Sequence, residues 1–146
     1  MLRANVSSQQ FWKKGLQGAW HQPNLVTNDL VDGYRRPSTV QDWDEGLLRF
    51  VEANTLKLGG NNNNTTNRSD SATLTEKLAA LVAAGRTRVL VVHGKQDRLV
   101  PLSNSRRLAK AVGARCVEID GCGHVPMEEA PIEFLAAVER CVGANK

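Results

Sequence analysis

An α/β fold is predicted, with two parallel strands near the C-terminal end and helices flanking them. Three observations carry this. Residues Val89-Leu90-Val91-Val92 are consecutive apolar residues, three of them β-branched, as suits a parallel strand covered on both faces. A second short strand pattern, Arg115-Cys116-Val117-Glu118-Ile119, follows about twenty residues later. Helical patterns stand before, between and after the two, an order that implies a right-handed α/β crossover.

In chain order, residues 9–20 hold a first helical pattern with Phe11, Trp12, Leu16 and Trp20 as its large apolar groups. Residues 27–36 form a short helix, capped by Thr27 or Asn28 and stopped by Pro37. Residues 41–53 place Trp43, Leu47, Phe50 and Val51 on one apolar face. Residues 59–72, GGNNNNTTNRSDSA, have no apolar residue before Ala72 and read as a disordered insertion. Thr73-Leu74-Thr75-Glu76 is a capping box, with Leu74, Leu78, Leu81 and Val82 on the following face and Gly85 as the stop. After the first strand, Ser103 or Asn104 opens a helix that carries Leu108, Ala111 and Val112 and ends at Gly113. Pro131 starts the last helix, with Ile132, Leu135, Val138 and Val142 expected to face inward.

Composition excludes several classes. The 146 residues carry 19 basic and 15 acidic side chains, a net charge of +4, spread without a basic stripe. With three Phe, three Trp and one Tyr to stack on bases, a nucleic-acid partner is not expected. No apolar run reaches membrane-spanning length, and the first twenty residues lack a secretory h-region. Cys116, Cys122 and Cys141 match no disulfide scaffold, so a reducing compartment fits best. Neither they nor His21, His93 and His124 show metal-ligand spacing, and no cofactor is implied.

In an open parallel sheet, reactive groups gather beyond the carboxyl ends of strands. Two polar loops lie there, residues 93–101 after the first strand and residues 120–131 after the second. Adjacent parallel strands would bring Asp97 and His124 together. A carboxylate accepting the imidazole Nδ1–H fixes the tautomer and stabilises the imidazolium during proton transfer.

V-L-V-V-H-G-x-x-D-x-x-V-P followed by I-D-x-x-G-H-x-P-x-E-x-x-P resembles the C-terminal part of the α/β-hydrolase superfamily over residues 86–142. The resemblance implies a partial α/β-hydrolase fold, with Asp97 as the acid and His124 as the general base of a nucleophile-His-Asp triad. It implies three segments: residues 1–58 as lid remnant and connecting helix, 59–72 as an insertion, and 73–146 as core. The G-x-S-x-G nucleophile turn and an HGGG-type oxyanion loop occur nowhere in the sequence. The family places both ahead of the lid, so the chain is expected to begin within the lid. Ser7, Ser8, Ser103 and Ser105 sit on no glycine-flanked strand-to-helix turn, and Cys122 reads as a loop residue rather than a nucleophile.

The expected function is therefore the C-terminal part of an ester or related-bond hydrolase, inactive alone, acting in full length on a small hydrophobic substrate. The alternatives are a non-catalytic module that pairs with a protein through an exposed strand edge, or an incomplete gene product. Two strands leave edges uncovered, so the isolated chain is expected to be marginal or partner-dependent.

Overall fold

The computed structural model describes residues 6, 8–59 and 73–143. Apart from Gly59, the predicted insertion at 59–72 lies outside the described residues. The helices are α1 (Gln9–Ala19), α2 (Asn28–Arg35), α3 (Trp43–Gly59), α4 (Leu74–Ala83), α5 (Leu102–Val112), α6 (Pro126–Glu129) and α7 (Pro131–Gly143). The strands are β1 (Leu90–Gly94) and β2 (Arg115–Ile119). The chain divides into two units: residues 1–14 with 27–71, and residues 15–26 with 72–146.

In the first unit, the Thr27 side chain accepts the Leu30 N–H at 3.2 Å and caps α2, as its sequence position predicts. Pro37 falls in a 3₁₀ turn, Arg36–Thr39, that packs on both α2 and α3. The helix predicted at 41–53 forms, and of its apolar face Trp43 is half-buried while the rest stays largely exposed. Leu47 and Val51 are exposed, and Phe50 retains 66% of its accessible surface.

The second unit holds the sheet. Strands β1 and β2 pair in parallel, from Leu90 opposite Arg115 to Gly94 opposite Ile119. The first strand begins one residue later than the apolar pattern suggests, because β2 starts at Arg115 and offers Val89 no partner. Helices α5 and α7 each contact both strands. Side chains alternate across a strand: Leu90 and Val92 share a groove with Phe134 and Val138 of α7, while His93 meets Ser105 of α5. The two helices thus cover opposite faces, and each strand keeps one edge unpaired among the described residues.

The inward faces of both flanking helices match the predicted ones only in part, with Val112 of α5 and Val138 of α7 turned toward the sheet as expected. In α5 the buried residues are Ala109 and Val112, whereas Leu108 and Ala111 are exposed. In α7 Ala137 is buried with Phe134, Val138 and Cys141 half-buried, whereas Ile132, Leu135 and Val142 are exposed. Small residues allow these helices to approach the narrow sheet, and the larger ones are left at the rim. The capping box at Thr73 and Glu76 is complete, but Leu74 and Leu81 point to solvent. Gly113, at φ 71°, adopts the left-handed conformation that ends α5 before β2 begins.

Candidate active site

Parallel pairing sends the chain out of β1 and β2 at the same end, and the two loops are stitched there atom by atom. Lys95 N–H donates to the Ile119 carbonyl at 2.8 Å, and Gln96 N–H to the Cys122 carbonyl at 2.9 Å. The Gln96 side chain accepts the Cys122 N–H at 3.1 Å and donates to Asp120 Oδ1 at 2.9 Å. The approach is close enough that a Cβ on Gly94 would lie 2.0 Å from the Gly123 carbonyl oxygen. Only glycine fits at that strand end.

The acid loop folds on its own aspartate. Asp97 Oδ1 accepts the Leu99 N–H at 2.8 Å and the Val100 N–H at 3.0 Å, an Asx-type turn that leaves Oδ2 free to face the histidine loop. That loop is held by the Glu129 carboxylate, which accepts the backbone N–H groups of His21 at 2.7 Å, Gly123 at 2.9 Å and Val125 at 3.1 Å. His124 N–H itself donates to the Ala19 carbonyl at 3.0 Å.

Between the loops, His124 Nδ1 lies 2.9 Å from Asp97 Oδ2. The ionised carboxylate only accepts, so Nδ1 carries a proton, and in the neutral ring Nε2 then holds the lone pair. Nε2 has no hydrogen-bond partner among the described residues. The Asp97 side chain is 3% exposed and that of His124 41%, so a buried carboxylate meets an accessible imidazole. Burial pushes the Asp97 carboxyl up. The His124 hydrogen bond and the Val100 and Leu99 N–H groups outweigh it and hold the carboxyl below its ordinary value.

An open groove of about 380 Å³ reaches His124, lined mainly by apolar side chains including Leu90, Val92, Met127 and Phe134. Cys122 takes part through its backbone, not its thiol. Its side chain is fully buried, and burial with the nearby Glu129, Glu133 and Asp97 charges pushes its thiol up to about 11. Ser105 is committed to His93 at 2.8 Å rather than to His124, and Ser7 lies outside the described residues. Among the described residues no group of three or more His, Cys, Asp or Glu side chains is arranged to hold a metal ion.

The sequence pattern brings out Asp97 and His124 but not Glu129, His93 or Ser105. The glutamate in the recurring pattern is Glu128, and the loop is clamped by its neighbour. A second carboxylate five residues after a loop histidine, at the end of a one-turn helix, was the available signal for it.

Comparison with known proteins agrees with this architecture. The alpha/beta hydrolase family matches residues 6–138, and the chain belongs to that family. Two crystal structures of the meta-cleavage product hydrolase CumD share the fold. One superposes with a TM-score of 0.65 at 21% identity, covering 94% of this chain and 46% of the other. The second, from Pseudomonas fluorescens IP01 and complexed with acetates, gives 0.64 at 22% identity, covering 95% and 47%. The chain thus spans about half the length of these hydrolases. No curated protein sequence matches it. Among the described residues no helix is long and apolar enough to cross a membrane.

Proposed function

We propose that the chain supplies the acid and base of a nucleophile-His-Asp triad, Asp97 as orienter and His124 as general base, to a hydrolase whose nucleophile lies outside these 146 residues. The observation that carries this is the 2.9 Å contact between a buried carboxylate and an accessible imidazole whose Nε2 is unengaged. In turnover, Nε2 takes the proton of the attacking nucleophile, the Asp97 carboxylate stabilises the resulting imidazolium, and Nε2 then returns the proton to the leaving group. The absence of G-x-S-x-G from the sequence and the burial of Cys122 support an external nucleophile. In this reading residues 1–58 are lid remnant and connecting helix, residues 59–72 an insertion, and residues 73–146 core.

The apolar groove beside His124 supports a small hydrophobic substrate carrying an ester or related bond. The test joins a G-x-S-x-G-bearing family half to this chain and measures hydrolysis of p-nitrophenyl esters. Meta-cleavage products, for which the neighbours are named, belong beside them in the assay. Turnover should fall about 10⁴-fold in Asp97→Asn, as when a triad histidine is left in the wrong tautomer. Turnover indifferent to both Asp97→Asn and His124→Ala would defeat the proposal.

A second reading, a non-catalytic module that takes a protein strand at its sheet edge, is favoured by one observation: each strand keeps an unpaired edge among the described residues. It is distinguished by a stable complex whose formation survives His124→Ala but not a proline placed in β1.

A further inference from the structure

Asp97 Oδ2 faces two imidazoles, and only one of them is His124. The His93 ring, on β1 and 7% exposed, brings its Nε2 to 3.4 Å from the same oxygen and to 3.2 Å from the Val100 carbonyl. A carbonyl can only accept, so Nε2 of His93 carries a proton. Its Nδ1 lies 2.8 Å from Ser105 Oγ on α5, and the hydroxyl hydrogen is then directed at that ring nitrogen. The result is a continuous run of polar contacts, Ser105 to His93 to Asp97 to His124, leading from a helix on one sheet face to the accessible imidazole.

We infer that His93 is a positioning residue for the candidate acid, held by Ser105 so that its Nε2–H fixes the Val100 carbonyl, and with it the turn whose Val100 N–H holds the Asp97 carboxylate, in the alignment that His124 uses. The inference rests on the reading of Asp97 and His124 as acid and base. A bland role, filling space beneath the loop, would need the volume of the ring but neither nitrogen. The geometry gives both nitrogens polar neighbours.

Among the described residues, the titratable groups that act on Asp97 include His93 on β1, His124 on its loop and the buried Cys122. Titration of the Asp97 side-chain carboxyl carbon by NMR on the 146-residue chain, in whatever association state it adopts, reads their effect directly. His93→Phe keeps the ring and removes the donor. It should loosen the Val100 turn, raise the Asp97 midpoint, and quicken exchange of the His124 Nδ1 proton with water. Ser105→Ala should move both in the same direction by less, and His93→Gln, whose amide restores a donor and an acceptor, should return them toward the parent values. A folded His93→Phe chain with an unmoved Asp97 midpoint overturns the inference. Where that variant does not fold, Ser105→Ala decides, with an unmoved midpoint counting against and a raised one in favour. These readouts need no turnover, so they are separable from failure of the catalytic proposal, which shows as turnover insensitive to His124→Ala.

Discussion

At the scale of single residues, the site depends on two features that pattern alone underestimates: where a side chain is absent and where a carboxylate is shielded. Gly94 has no room for a methyl group, with the Cys122 and Gly123 carbonyl oxygens 2.4 and 2.0 Å from the position a Cβ would take. Gly94→Ala is therefore expected to push the loops apart and to destabilise the chain by about 1–3 kcal/mol, measurable by chemical denaturation. The pH dependence has a definite sign. The Asp97 carboxyl is held below its ordinary value in the folded chain, so its contribution to stability is complete above the unfolded aspartate pKa of about 3.9. That contribution is lost as pH falls through the lower folded value. Denaturation midpoints of Asp97→Asn should accordingly lose part of the acid dependence seen in the parent. Cys122 supplies a third expectation. With its thiol buried and raised to about 11, it should react with iodoacetamide at least about tenfold more slowly than half-buried Cys116 or Cys141 in the native chain, and equally once unfolded.

At the scale of elements, the sequence is most legible where one local interaction decides the outcome. Thr73 and Glu76 exchange hydrogen bonds in the capping box their spacing predicts, at 2.7 Å for the Thr73 N–H and 3.2 Å for the Glu76 N–H. Thr73→Ala should cost about 1 kcal/mol, seen as a loss of helical circular dichroism before global unfolding. The strand Arg115–Ile119 is found within its predicted bounds for a similar reason: β-branched residues sit between Gly113, which stops a helix, and a polar loop. The inward faces of the flanking helices are less legible. Helix α7 carries apolar residues at 132, 134, 135, 138 and 142, nearly all round, so periodicity names no single face. Packing on a two-stranded sheet selects the face that holds Ala137, and Ile132 is left 78% exposed. The same applies to α3, whose regular apolar stripe predicts burial but whose Phe50 stays 66% exposed. Periodicity reports that a face is apolar, not what covers it.

At the scale of the whole molecule, the Asp97–His124 contact is legible because it follows from topology. Two loops leaving the same end of paired parallel strands must meet, whatever their separation in sequence. What escapes a linear reading is the support that comes from other parts of the chain. Glu129 reaches back to the N–H of His21, and His93 reaches Ser105 across α5. Neither contact has a short-range signature. The excess positive charge also acquires a plain physical role. Arg86, Arg88, Arg115 and Arg140 border one cavity at the opposite end of the sheet, where α4, α5 and α7 finish, and cations there oppose the negative helix ends. Arg88 donates directly to the Cys141 and Val142 carbonyls at 2.7 and 3.0 Å. Exposed Ile132, Leu135 and Val142 on α7, together with unpaired strand edges, predict that the purified chain self-associates. Light scattering should show species larger than 16.0 kDa that dissociate in mild denaturant.

The tautomer of His124 tests the account most directly, read from the two imidazole ¹⁵N shifts of the 146-residue chain at a pH where the ring is uncharged. A proton on Nδ1 with Nε2 bare, shifting toward the opposite tautomer in Asp97→Asn, is the predicted result. A proton resident on Nε2 in the parent chain, unchanged by that substitution, would contradict it, since a base so protonated has no lone pair to offer a nucleophile.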